Sequence, residues 1–269
     1  MPNVATRPPA SDFRRRLLAR ETLVGTFIKT PTAHATEILG GVGMDFVIVD
    51  QEHAPFDRGT TDLALLAARA ANIAGIVRVP DAAPEKILAA LDDGALGVLV
   101  PHISSPERAR DMVAACRYRG GKRGFSNTNR GGDYGATGIW DHVATQDQKI
   151  ATIAMIEDPE ALDLLDGILG VEGLDGVFIG RGDLTVALGA EDLGSPQVME
   201  AAEAIAEAAR NAGKAILIMA ANAAEAAQFR RFGASAFIVS SDQGLMRQAA
   251  SRLVADFSAQ NSQLSSRTL

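Results

Sequence analysis
Eight short apolar runs, each followed by an alanine-rich stretch of helical pattern, limit most tightly how this chain can fold. The runs fall at 24–29, 45–49, 75–79, 97–101, 150–156, 176–179, 215–219 and 236–239. The helical stretches fall at 33–40, 61–72, 84–91, 106–117, 159–169, 196–212, 223–232 and 244–257. Most runs are continuous rather than alternating, as in strands covered on both faces. Proline opens several helices, at Pro84, Pro106, Pro159 and Pro196, where its missing N–H costs nothing. Eight such units with no composition break between them predict an α/β fold, a single-domain (β/α)8 TIM barrel. An open doubly wound sheet is the alternative. It needs a glycine-rich phosphate turn after the first strand, and Lys29-Thr30-Pro31-Thr32 is not one.

The barrel is expected over residues 23–257, after an extension with a short helix at 1–22 and before a loose polar tail at 258–269. Ser11 is the expected N-cap of the leading helix. Arg14-Arg15-Arg16 could open an export signal, but Leu17-Leu18-Ala19 breaks at once at Arg20-Glu21 and leaves no apolar core for one. No apolar run is long enough to span a bilayer. A formal net charge of −7 argues against nucleic acid or an anionic membrane as a partner. The one cysteine, Cys116, permits no internal disulfide, which fits a reducing, cytoplasmic compartment. Its neighbours suggest a helix, and Cys116 reads as a packing residue. The longest interruption, 118–141, carries Arg119, Lys122, Arg123, Arg130 and Trp140. It follows the fourth strand and is expected on the strand C-terminal side, where barrels place their sites. It reads first as a solvated loop or a subunit contact; the alternative is that its basic residues favour an anionic aldehyde tail.

Several strands end in costly polar groups. Phe46-Val47-Ile48-Val49 runs into Asp50-Gln51-Glu52-His53-Ala54-Pro55. Arg78 lies inside Val77-Arg78-Val79-Pro80, and two later strands end in Ile156-Glu157-Asp158 and Gly180-Arg181-Gly182-Asp183. Groups of this kind at the edge of a core need partners or a task. Glu157 and Asp183 suit an oxygen-ligated divalent cation, with helix capping as the competing reading. Asp158 before Pro159 is a cap in its own right. His53, with Asp50 or Glu52 orienting it, suits a general base, or is a histidine merely satisfied by Glu52. Arg78 could stabilise a developing oxyanion, or pair with a neighbouring acid. Lys29 also ends a strand, so a Schiff base must be weighed. His102 lies at the same end of the barrel, and His34 and His142 carry no assigned role.

In order and content these motifs, together with Leu99-Val100-Pro101 and Met155-Ile156-Glu157, resemble the HpcH/HpaI aldolase family over nearly the whole chain. The resemblance implies a class II pyruvate aldolase, a carbon–carbon lyase. It also implies a homohexamer, a trimer of dimers with the last helix exchanged between subunits. Carried over, Glu157 and Asp183 bind Mg²⁺ or Mn²⁺, with Co²⁺ and Zn²⁺ also within reach of such a set. His53 is the base, acting through water and polarised by Asp50. Arg78 contacts the keto oxygen, and the turn of Gly180, Arg181, Gly182 and Asp183 receives the substrate carboxylate through backbone N–H groups. Asp92 matches an acid that reaches the site of a neighbouring subunit.

The family's usual proline and alanine are here Arg181 and Gly182, and His102 replaces an apolar residue. The expected reaction is reversible cleavage of a 4-hydroxy-2-oxo acid to pyruvate, or hydroxypyruvate, and an aldehyde through a metal-stabilised enolate. An oxaloacetate decarboxylase or another carbon–carbon lyase on the same site is the alternative. A non-catalytic binding or assembly barrel is the alternative of another class.

Overall fold
The computed structural model describes the backbone of residues 7–267 and the side chains of residues 7–259. Among them, eight parallel strands close a barrel in sequential order. They are β1 (Leu23–Ile28), β2 (Phe46–Asp50), β3 (Ala74–Arg78), β4 (Gly97–Val100), β5 (Ala151–Ile156), β6 (Gly176–Ile179), β7 (Ala215–Met219) and β8 (Ala236–Ser241). The helices are α1 (Phe13–Leu18), α2 (Ala33–Val42), α3 (Arg58–Ala70), α4 (Pro84–Asp92), α5 (Pro106–Cys116), α6 (Ile139–Lys149), α7 (Leu165–Leu169), α8 (Arg181–Ala187), α9 (Pro196–Asn211), α10 (Ala223–Arg231) and α11 (Asp242–Arg267). None is long and apolar enough to cross a membrane.

The strands are buried on both faces, which is why their sequences do not alternate. One set of side chains, including Val49, Val77, Val98, Ala154, Val177 and Ile216, packs outward against the helices. The alternate set, including Phe27, Ile48, Ile76, Leu99, Ile153, Phe178 and Leu217, fills the barrel. Helix α1 plugs the strand N-terminal end. Its Phe13 and Leu17 join the interior cluster, with the Phe13 and Phe46 ring centroids 5.4 Å apart. The basic run is tied down there, Arg14 on Asp175 at 2.8 Å and Arg16 on Asp45 at 2.9 Å.

Four expectations change. Ser11 does not cap α1, because a 3-10 turn at Ala10–Asp12 leads into that helix without a side-chain cap. The Ala10 N–H is held instead by Asn72 Oδ1 at 2.8 Å. The stretch after Pro159 splits into a 3-10 turn, Pro159–Leu164, and the short α7. The polar segment read as a loose tail continues α11 to Arg267; residues 268–269 lie outside the described residues, as do residues 1–6 of the N-terminal extension.

The 118–141 segment lies at the other end of the barrel from the one expected. It follows α5, not β4, and the 11 residues of α5 carry the chain back about 16 Å to the strand N-terminal side. Arg117, just before it, is 3.2 Å from Asp175, one residue ahead of β6. The basic residues of the segment are engaged locally. Arg130 pairs with Asp62 at 2.7 Å, Arg123 is fully buried with Asp92 3.4 Å away, and Arg119 stacks over Trp140. They offer no cationic surface beside the strand C-terminal ends.

Candidate active site
The two-residue period of the strands selects which polar groups point inward. Asp50 follows Phe46 and Ile48 on the inner face of β2, and Arg78 follows Ala74 and Ile76 on β3. Glu157 follows Ile153 and Met155 of β5 in the same way. The β2–β3 register sets Asp50 directly opposite Arg78.

Asp50 is fully buried and is the hub of the first half of the site. Its Oδ1 accepts from Arg78 Nε at 2.9 Å and from the backbone N–H groups of Glu52 and His53 at 3.2 and 3.1 Å. Its Oδ2 accepts from Arg78 Nη2 at 2.7 Å and lies 3.0 Å from Lys29 Nζ. Burial pushes the Asp50 carboxyl up, but Arg78, the His53 N–H and Lys29 outweigh it and hold it at about 2. Arg78 stacks over Phe27 and turns Nη1 to Glu52 Oε2 at 3.1 Å. The pairing of Arg78 weighed from sequence is therefore present. Lys29 Nζ is engaged with a carboxylate rather than standing free. Asp50 holds the backbone of His53, not its ring. The imidazole is 55% exposed, with Nε2 3.6 Å from Glu52 Oε2.

Glu157 is the hub of the second half. Its side chain is buried, and Oε1 accepts the His102 backbone N–H at 2.9 Å. The Asp183 carboxyl faces it closely enough to act on its charge. Burial pushes the Glu157 carboxyl up to about 7, with the Asp183 charge adding to it and the His102 N–H opposing it. Gly180 makes the close approach possible, since a Cβ there would stand 2.6 Å from Glu157 Cβ. The turn at 180–183 is the start of α8. The Gly180 N–H is taken by Ile156 O at 2.9 Å. Those of Arg181, Gly182 and Asp183 open the helix and have no acceptor within it. The Arg181 guanidinium leaves the site. It packs over Phe229, and Nη2 donates to Glu225 Oε1 at 2.8 Å.

Two residues join the cluster beyond those singled out as ligands. Glu52 and His102 present donor atoms that, with one from Glu157, lie within 4.8 Å of one another, a set able to hold a metal ion. Around it stand the carboxyls of Asp50, Asp158 and Asp183, against the fixed cations Lys29 and Arg78. A buried carboxyl beside further acidic groups fits a divalent cation. Asp158 does not cap the turn after Pro159; it accepts from the His102 ring at 3.0 Å. His102 is placed at this end by sequence but its role is missed there, because its partners Glu157 and Asp158 lie 55 and 56 residues away. Only the adjacency of β4 and β5 brings them together. Asp92 stands apart, at the end of α4 toward the strand N-terminal side, with burial pushing its carboxyl up against the opposing charge of Arg123. Cys116 is buried and its thiol is pushed up to about 12 by that burial, as expected of a packing residue.

The sequence pattern of the HpcH/HpaI aldolase/citrate lyase family matches residues 23–249. The 5-keto-4-deoxy-D-glucarate aldolase of Klebsiella pneumoniae subsp. pneumoniae is 35% identical over 249 residues, which span 91% of this chain and 96% of that protein. The crystal structure of an HpcH/HpaI aldolase/citrate lyase family protein from Burkholderia cenocepacia J2315 superposes with a TM-score of 0.87 at 29% identity. The match covers 92% of this chain and 99% of that one. The citrate synthase SbnG superposes with a TM-score of 0.84 at 29% identity, covering 93% of this chain and 98% of that one.

Proposed function
The chain belongs to the HpcH/HpaI aldolase/citrate lyase family, and on that premise we propose that it cleaves a 4-hydroxy-2-oxo acid reversibly to pyruvate, or hydroxypyruvate, and an aldehyde. It is a carbon–carbon lyase of the aldolase type, acting on small molecules. The observation that carries the substrate reading is the convergence of Asp50, Arg78, Glu157 and Asp183 at one end of the barrel, around donors able to hold a cation.

Glu157 and Asp183 would hold the ion, a divalent cation such as Mg²⁺ or Mn²⁺. Bound there, it would supply Lewis-acid stabilisation for the charge that builds on a 2-oxo acid as the bond to the aldehyde carbon breaks. Arg78 adds positive charge at the mouth of the barrel for the keto oxygen. Asp50 holds Arg78 and the His53 backbone in place, so its part is orientation. His53, exposed at the rim, takes the proton from the C4 hydroxyl directly or through water, and returns it in the synthetic direction. The first N–H groups of α8, at Arg181, Gly182 and Asp183, receive the substrate carboxylate. Asp92 is too far along the barrel to serve its own site and is assigned to that of a neighbouring subunit. The exposed apolar residues Met246, Leu253, Val254 and Phe257 of α11 support a helix exchanged within a trimer of dimers. A cytoplasmic location belongs to the same reading. The citrate synthase among the similar structures keeps other carbon–carbon chemistry, oxaloacetate decarboxylation included, as the second reading.

The test is aldol cleavage and synthesis with pyruvate or hydroxypyruvate and a panel of aldehydes, before and after EDTA. Activity should vanish with chelator and return with Mg²⁺ or Mn²⁺. Glu157→Gln should lower kcat/KM about 100-fold or more. Borohydride trapping of pyruvate on Lys29, or full activity in Glu157→Gln, would overturn the reading.

A further inference from the structure
We propose that His102 is itself a ligand of the cation, through Nε2 and together with Glu52 and Glu157, and that this nitrogen turns the site's preference toward borderline ions such as Co²⁺ and Zn²⁺. The inference rests on the metal-dependent reading above and adds to it a donor of different chemistry. An all-oxygen set suits Mg²⁺, whereas an imidazole in the set favours the later first-row ions.

The ring is already arranged as a ligand's ring is. Nδ1 lies 3.0 Å from Asp158 Oδ1, so the Nδ1–H donates to that carboxylate and the lone pair is left on Nε2. A carboxylate behind a histidine, fixing its tautomer and direction, is the usual support of a metal-bound imidazole. Nε2 lies 3.7 Å from Glu52 Oε1. Two donors each about 2.1 Å from one ion stand about 3 to 3.6 Å apart, so little adjustment brings both onto it. Glu52 divides its oxygens accordingly. Oε2 is turned to Arg78 Nη1 at 3.1 Å, while Oε1 faces the imidazole. The third donor, Glu157, is fixed by the His102 backbone N–H at 2.9 Å.

The chain holds His102 there at a cost. Its φ is +54°, a left-handed conformation uncommon for a residue with a side chain. That conformation lets one residue bind Glu157 with its N–H and lay its ring beside the same carboxylate, with Nδ1 3.5 Å from Oε1. Two other histidines lie at this end of the barrel: His34, at the start of α2 with Nδ1 2.9 Å from Thr32 Oγ1, is outside the donor set, and the other is His53. It reaches Glu52 through Oε2, the oxygen already turned to Arg78, and is not in the donor set.

The experiment uses the full chain loaded with Mn²⁺ and read by electron spin echo envelope modulation. Modulation from ¹⁴N is expected, and it should be replaced when the protein is made with ¹⁵N-histidine. His102→Asn, which tolerates the left-handed backbone, should abolish it, and His53→Asn should keep it. His102→Gln serves as a second substitution. Titrations should show Co²⁺ affinity falling about tenfold or more in His102→Asn while Mg²⁺ affinity moves by less than about threefold. Bound Mn²⁺ without nitrogen modulation would overturn the ligand assignment and leave the aldolase reading standing. Modulation that survives in His102→Asn and disappears in His53→Asn would do the same. A protein that binds no divalent ion would sink both.

Discussion

At the scale of single residues, the site is built from charges that would be unaffordable alone. Arg78 is buried, and it survives in the barrel because Asp50 meets it with two oxygens and Glu52 takes a third nitrogen. Breaking such a pair leaves an uncompensated buried charge, so Asp50→Asn should lower stability by about 3 kcal/mol near neutral pH. The pH dependence follows from the direction of the shift. The Asp50 carboxyl is held at about 2 against an ordinary 3.8, so the folded state binds the proton less readily than the unfolded chain. Its contribution is full above the unfolded value and is lost as pH falls through the folded one, a span worth about 2 kcal/mol. Denaturant unfolding of both proteins at stepped pH checks this. The gap between them should be constant above about pH 5 and narrow toward pH 2. A gap that stays fixed throughout would detach it from the ion pair.

At the scale of elements, the sequence announces strands well and directions poorly. All eight strand positions are legible because burial on both faces leaves uninterrupted apolar runs, and the strand-end acids stand out against them. The inner face is legible too, since Asp50 and Glu157 keep parity with Ile48 and Met155. The 118–141 segment is misread because its place depends on which way α5 runs, and counting from β4 alone hides that reversal. The junction of β6 and α8 is misread as a bare turn because Gly180 and Gly182 are poor advertisements for a helix. That junction offers a sharp pair of substitutions. A Cβ on Gly180 would meet Glu157 Cβ at 2.6 Å and Oε2 at 3.0 Å, whereas one on Gly182 meets nothing within 4 Å. Gly180→Ala should keep the barrel and displace Glu157, weakening Mn²⁺ binding about tenfold or more. Gly182→Ala lies in a helix and should bind Mn²⁺ as before, with stability raised by roughly 0.5–1 kcal/mol. Mn²⁺ titration with circular dichroism distinguishes the two. Equal affinities would mean that Gly180 does not set the position of Glu157.

At the scale of the whole molecule, the barrel has two chemically distinct ends. The strand C-terminal end holds the cation donors and His53. The opposite end holds α1 and the pair of Asp92 with Arg123, whose side chain is fully buried. Buried Arg123 lies over the Tyr118 ring, and its Nη1 is 3.5 Å from Gln146 Oε1, so Asp92 is offered on a stiff base. No motion of an intact barrel brings Asp92 to its own Glu157, because the strand layer lies between them. The proposed neighbouring subunit would have to do so, with α11 as the surface that meets it. Leu253, Val254 and Phe257 recur at helical spacing and remain exposed in a single chain. If Asp92 acts across subunits, two inactive variants should cure each other. Asp92→Asn keeps its own cation site, and His53→Asn still lends its Asp92. Each alone should be nearly inactive. Mixed after mild dissociation and reassembly, they should recover part of the activity in the hybrids. Phe257→Asp should reduce the assembled mass measured by light scattering toward the 28.2 kDa of one chain, and should block the recovery. Hybrids of confirmed mixed composition that stay inactive would remove Asp92 from the chemistry and leave it a structural partner of Arg123.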